Sequence, residues 1–317
     1  MKYKKILFFI IITLFSFTCV SNPAIIDELT VFRLTILHTN DLHGRLENMP
    51  QYSTIVNQIR NEEDNVLLLD GGDLYRRGPY ERFNGAVETE IFNAMRYDAI
   101  VFGNNDFPRN DTELYDLSTH TILQTAGFPV LLGNVTINGN YIEGFRPYII
   151  KNIQGINIAI IGVTSLKPRD RGFDITKRAL FDDPVQTVDR FVNETRIESD
   201  IQIVLSHAGF DVDKNMKGIS AIISADTHIK LATPYIINDG ENQIPIVQAG
   251  GEEDNYLGRL DLLFEKINGQ WILKEFNGSL FSLDDIAEDT EIRDILDRYE
   301  ELLISLIEED MQLPYAA

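Results

Sequence analysis

Short β-rich apolar runs alternate with amphipathic segments along most of this chain, and that rhythm specifies α/β architecture. The runs read as strands are "RLTILHT" (33–39), "NVLLLD" (65–70), "AIVF" (99–102), "PVLLGNV" (129–135), "YIIKNI" with "INIAIIGV" (148–163), "IQIVLS" (201–206), "SAIIS" (220–224) and "PIVQAG" (245–250). Helices are predicted near 52–64, 85–97, 184–198 and 288–309, the last with apolar residues at helical spacing and dense acids opposite. "GRLDLLFEKINGQWILKEFNGSL" reads as a hairpin turning at Asn268-Gly269, a pair that accepts positive φ at both positions.

Five of these runs end in polar side chains that strands disfavour. Asp41 and His43 follow the first, Asp73 the second, and Asn104, Asn105 and Asp106 the third. His207 follows "IVLS", and Asp226 with His228 follows "AIIS". Sites in open α/β folds form past the carboxyl ends of strands. One such residue is ordinarily a turn cap or a structural hydrogen-bonder. Five clusters in order form a constellation, and carboxylates with imidazoles suit Zn, Mn or Fe. His38, inside a strand, and His120, in a helical stretch, read as structural.

The 317 residues suffice for one large α/β domain, and the formal net charge of −21 disfavours nucleic acid polymers and anionic membrane surfaces as partners. Lys2, Lys4 and Lys5 precede the apolar "ILFFIIITLFSFT", which is shorter than the roughly 20 residues a membrane span needs. This is a secretory signal pattern. Cys19, the one cysteine, sits at its end. Two readings stand: lipidation of Cys19, giving a membrane-anchored periplasmic or cell-surface lipoprotein, or an ordinary signal peptide cleaved just after it. The expected organisation is a signal peptide (1–18), a tether (19–30), a catalytic domain (31–285) and an acidic C-terminal helix (286–317).

"LTILHTNDLHGRLE", "LLLDGGDLYRRGP", "YDAIVFGNNDF", "LSHAG", "ADTH" and "VQAGG…LGRLDL" run in an order that resembles the 5′-nucleotidase and 2′,3′-cyclic phosphodiesterase branch of the calcineurin-like metallophosphoesterases. The resemblance implies a four-layer α/β/β/α sandwich with two mixed β-sheets and a site for two divalent metal ions. It implies that Asp41, His43, Asp73 and His228 hold one ion. Asp73, Asn104, His207 and the position of Asp226 hold the other, with Asp73 bridging. Such a pair activates water and clamps phosphate oxygens. The implied activity is hydrolysis of small phosphorylated compounds.

Three departures qualify the resemblance. Asn105 stands where the family has a catalytic His, and Pro108 stands near the place of that residue's supporting acid. An amide donates a hydrogen bond but no proton. Asp226 replaces the first His of the fifth motif, which either favours the harder Mn, Fe or Mg over Zn or leaves the second ion weakly held. The nucleoside-gripping second domain and its phosphate-binding arginines have no counterpart before Ala317, so a separate partner protein supplying them is one expectation. Arg76 and Arg77, next to Asp73, either take over phosphate binding or are exposed loop charges. "GGEEDN" (250–255) is expected to bring three acids near the site. The alternative to an enzyme is a catalytically impaired binding or structural lipoprotein that keeps the fold and one metal.

Overall fold

The computed structural model describes residues 30–107, 120–170 and 179–312. The signal segment, Cys19, most of the tether and Pro108 lie outside the described residues. In chain order the strands of the two large sheets are β1 (Val31–Thr39), β2 (Val66–Asp70), β3 (Ala99–Val101), β4 (Val130–Leu131), β5 (Phe145–Arg146), β6 (Tyr148–Ile153), β7 (Ile156–Thr164), β8 (Ile201–His207), β9 (Ala221–Ser224), β10 (Tyr235–Asp239), β11 (Asn242–Val247), β12 (Gly258–Ile267) and β13 (Gln270–Leu280). The principal helices are α1 (Met49–Glu62), α2 (Ala86–Met95), α3 (Pro184–Thr195) and α4 (Thr290–Gln312).

One sheet has the order β13-β12-β1-β2-β3-β4-β5 and the other β10-β11-β9-β8-β7-β6. Both are mixed. In the first, β1 through β5 run parallel and the β12–β13 hairpin returns antiparallel. In the second, β7, β8, β9 and β11 are parallel, and the edges β6 and β10 are antiparallel.

Strand periodicity explains the layers. Successive side chains of a strand point to opposite faces, and here both faces are apolar. Phe32, Leu34, Ile36, Leu67, Leu69, Ala99 and Val101 of the first sheet meet Ile158, Ile160, Ile203, Leu205 and Ile223 of the second in a shared core. The intervening Leu37, Leu68 and Ile100 face outward onto α1, α2 and the first turns of α4 through Tyr52, Ile55, Ile91, Phe92, Ile292 and Leu296. Ile161, Val163, Val204 and Ile222 face the other way, onto Val188, Phe191 and Val192 of α3. Helix, sheet, sheet and helix therefore stack in the expected four layers. A fully buried Phe or Leu contributes roughly 1.5–3 kcal/mol, and each sheet buries such residues on both faces.

Local signals set the helix ends. Asp183 caps α3 by accepting from Gln186 N, and Pro184 takes the first-turn position where no N–H is needed. The hairpin turn falls at Asn268 (φ 51°) and Gly269 (φ 82°), as the sequence predicts. The stretch 129–135 departs from expectation, because it is two strands rather than one. β4 ends at Leu131, and Val135–Ile137 joins a separate three-stranded sheet. The break has a local cause: Asn134 donates to Thr164 O and accepts from Thr164 N, which ties the turn to the end of β7. The edge strand β10 went unanticipated.

His38 is fully buried in β1, where its neutral ring has no hydrogen-bond partner among the described residues, and burial lowers its pKa to about 3. His120 accepts from Ile122 N through Nδ1, which leaves Nε2–H to donate to the Tyr75 hydroxyl. Glu88 on α2 is buried with both carboxyl oxygens unpartnered among the described residues, and burial pushes its pKa up to about 8. Its folded pKa therefore exceeds its unfolded one, so this group's contribution to stability falls as pH rises from about 4.5 towards 8. Glu88→Gln is expected to flatten that fall. Unfolding midpoints at pH 5 should agree with the parent, and at pH 9 the variant should be the more stable by roughly 1–3 kcal/mol.

Candidate metal centre

The carboxyl ends of β1, β2, β3, β8 and β9 converge at one end of the double sheet and bring their polar tails together. The chain leaves these strands in tight turns. Asp41, His43, Asp73, Asp226 and His228 all lie at φ between 49° and 73°, a left-handed region that L side chains avoid. Strain of this kind persists where surrounding structure enforces it, and it clusters at functional sites. Glycines make room for the turns. A Cβ on Gly103 would lie 2.2 Å from Asp73 Oδ1, and one on Gly251 would lie 2.8 Å from His228 Cγ.

Two triads share Asp41. His228 Nε2 is 3.3 Å from Asp41 Oδ1, and Asp41, His43 and His228 present ligand atoms within one small sphere. Asp41, Asp73 and His207 form the second group. Asp73 joins the two, with Oδ1 3.3 Å from His207 Nε2 and Oδ2 3.5 Å from His43 Nε2. Asp226 Oδ1 lies 3.7 Å from His207 Nε2. Asn104 also faces this point, with its side-chain amide 2.6 Å from Asp226 Oδ1. With its nitrogen inward that amide donates to Asp226; with its oxygen inward, the pair suits a cation between them.

Each imidazole is held with one nitrogen inward. His207 Nδ1 donates to Gly71 O at 2.6 Å, which leaves Nε2 buried among carboxylates with no hydrogen-bond partner among the described residues. His43 Nδ1 lies 3.0 Å from Arg76 O, so Nε2 faces the cleft. Burial acts to lower the His207 pKa, but the Asp73, Asp41 and Asp226 carboxylates outweigh it and raise it well above its ordinary value. For His43 burial prevails over Asp73, and its pKa is lowered. The Asp41 hydrogen bond raises that of His228. Burial acts to raise the Asp73 pKa, yet His207 and His43 hold it below the usual carboxylate range. An orphaned buried nitrogen amid anionic oxygens fits a divalent cation, and carboxylate, imidazole and amide donors together suit one. A metal implied by this fold therefore fits the residues present.

The expected site residues otherwise separate as follows. Asn105 binds Asp73 twice, through N to Oδ1 (2.7 Å) and through Nδ2 to Oδ2 (2.6 Å). Arg77 lines the cleft: it donates to His43 Nε2 and pairs with Glu252 at 2.6 Å. Arg76 turns away, its guanidinium 3.6 Å from Glu81 and over the Tyr75 ring. Glu252, from the acidic loop, reaches within 3.8 Å of His43 Nε2. Asp106 is buried beneath the cleft and accepts from the backbone of Gly103, Asp73 and Leu74, each at 2.8 Å. Burial and the Asp73 carboxylate push its pKa up to about 7.

Sequence reasoning missed three contributors. Asn40 donates to Asp41 Oδ2 and Gly250 O and accepts from Ala249 N, tying the first loop to the last. Gln248 holds Thr227 and Ile229 N. Both sit inside the quoted motifs "HTND" and "VQAGG", which is the signal that could have found them. Lys167 donates to Asp226 Oδ1 at 2.6 Å, and no signal marked it. The resulting cleft of about 350 Å³ is open and polar, lined by Asp73, Arg77, Asn104, Asn105, Lys167, Asp226, Thr227 and His228.

The family model of the calcineurin-like phosphoesterases matches residues 34–230. The chain is similar to the trifunctional nucleotide phosphoesterase protein YfkN of Bacillus subtilis, 27% identical over 302 residues that cover 84% of this chain and 20% of that protein. It is 29% identical to the 5′-nucleotidase of Homo sapiens over 303 residues, 83% of this chain and 51% of that one. Its fold matches a 5′-nucleotidase precursor from Thermus thermophilus at a TM-score of 0.75 and 23% identity, covering 87% of this chain and 60% of that one. The chain thus spans about half or less of the length of these two curated relatives.

Proposed function

The chain belongs to the calcineurin-like phosphoesterase family, and from that membership we propose that it is an exported, metal-dependent phosphoesterase of small phosphorylated compounds, nucleotide-like monoesters or diesters. The observation that carries this reading is the orphaned His207 Nε2, buried and aimed at Asp73, Asp41 and Asp226. Asp41, His43, Asp73 and His228 would hold one divalent ion, and Asp73, Asn104, His207 and Asp226 the other. Bound there, such a pair would lower the pKa of water and stabilise charge on the phosphoryl oxygens. The signal pattern with Cys19 supports export and lipid anchoring. Among the described residues no helix is long and apolar enough to cross a membrane.

The chain's own residues supply the rest. Arg77 and Lys167 line the cleft as cations in an otherwise acidic protein, which suits a phosphate. Asp73 is kept ionised and oriented by its neighbours. Asn105 can donate a hydrogen bond to a leaving oxygen but cannot protonate it. Esters with stable leaving anions should therefore react best. A second reading, an impaired enzyme kept for binding, draws on the same residue.

The test uses p-nitrophenyl phosphate and bis-p-nitrophenyl phosphate with Mn, Zn or Co added to the purified chain. Turnover that a chelator removes and metal restores is expected. No turnover of either ester with any metal, from folded protein, sinks the enzymatic reading. Asn105→His is expected to raise hydrolysis of alkyl monoesters by about 10²-fold, the lower end of the 10²–10⁴ range of general-acid help. An unchanged or lower rate counts against Asn105 lying beside the leaving group.

A further inference from the structure

We propose that Lys167 is a tethered competitor for the second metal position, and so sets how tightly that position binds its ion. The inference rests on the phosphoesterase reading above and concerns a residue outside the quoted motifs. Asp226 directs Oδ1 towards His207 Nε2 (3.7 Å) and the Asn104 side-chain amide (2.6 Å), so this oxygen is the one that would meet an ion there. Lys167 Nζ donates to that same oxygen at 2.6 Å. An ammonium on the ligand oxygen supplies part of the positive charge the carboxylates demand, and it opposes an incoming dication at close range.

Lys167 is able to leave. Its side chain is 48% exposed, while Asp226 is 6% exposed. The lysine starts a short helix (Lys167–Asp170) at the rim, and Asp226 is the ion-pair partner it has among the described residues. A flexible stem lets the ammonium swing between Asp226 and a phosphate in the cleft. At the first position Arg77 makes a parallel contact with His43 Nε2, but Glu252 anchors its guanidinium independently at 2.6 Å. Lys167 has no such second anchor among the described residues. The two positions should consequently differ: the first firm, the second weak and adjustable by this one side chain.

The test is direct metal binding rather than activity. The full chain is stripped with chelator and titrated with Mn²⁺, with bound metal counted by equilibrium dialysis and elemental analysis. The parent should bind one equivalent tightly and a second more weakly. Lys167→Met should tighten the second by at least about tenfold, as expected for removing a like charge a few ångströms away, and leave the first unchanged. Lys167→Arg, which keeps the charge, should behave as the parent. A second equivalent that Lys167→Met leaves unchanged or weakens overturns the proposal. Two equally tight equivalents in the parent also overturn it while sparing the phosphoesterase reading. No bound metal in parent or variant overturns that reading and this proposal together.

Discussion

Replacing Asp73 with alanine is expected to lower metal-dependent ester hydrolysis by about 10³-fold or more and to remove bound metal. In the proposed reaction, several kcal/mol of transition-state charge stabilisation would depend on ions held there. Asp73 meets two of the imidazoles, His207 at 3.3 Å and His43 at 3.5 Å, one on each side of the site. Losing it opens both positions at once, whereas losing Asp226 or His228 opens one. The fold should survive. The Asp73 backbone N still donates to Asp106, and the sheets carry their cores elsewhere. His207 offers an independent readout. Its pKa stands above the ordinary value because of Asp73 and the other carboxylates, so in Asp73→Ala it should fall, measured by NMR titration of the ring. A variant that keeps parental hydrolysis with the metal restored would falsify the assignment of Asp73 as the bridge.

The layers and the site were legible in the sequence to different depths. Runs such as "NVLLLD" and "IQIVLS" are apolar at nearly every position, and a strand buried on both faces needs that. The four layers follow once helices are placed between such runs. The polar tails were legible because each follows a strand directly, so the chain has little freedom to put them elsewhere. Arg76 and Arg77 show where this reasoning stops. Adjacent and chemically identical, they take different partners, Arg76 pairing with Glu81 and Arg77 with His43 and Glu252, and Arg77 sits at φ 79°, a backbone state that residue type alone does not announce. Lys167 was invisible for another reason. In "SLKPRD" it resembles any solvated charge, and only the end of β7 beside Asp226 gives it a partner. The break at Asn134 likewise depends on Thr164, thirty positions away.

Gly103→Ala is expected to be nearly as damaging as the loss of Asp73, through backbone position rather than ligand chemistry. Gly103 has no positive φ to preserve, so its requirement is space alone. A methyl there would lie 2.2 Å from Asp73 Oδ1 and 2.3 Å from Asp73 N. Backbone lies on one side of the contact, so no rotamer of Asp73 relieves it. The loop must shift, and with it go the bonds of Asn105 to Asp73 and of Asp106 to Asp73 N and Gly103 N. Overpacking of this sort costs about 1–3 kcal/mol, and a displacement near 1 Å in a catalytic array costs about 10²-fold in rate. Gly139→Ala is the matched control. Gly139 has φ 78° but nothing within 4 Å of its added Cβ, so it should lose only about 1 kcal/mol for the strained φ and keep parental hydrolysis and metal content. Equal effects of the two alanines on metal content would mean that the contact with Asp73, and with it the rigid placement of the metal ligands, does not govern the site.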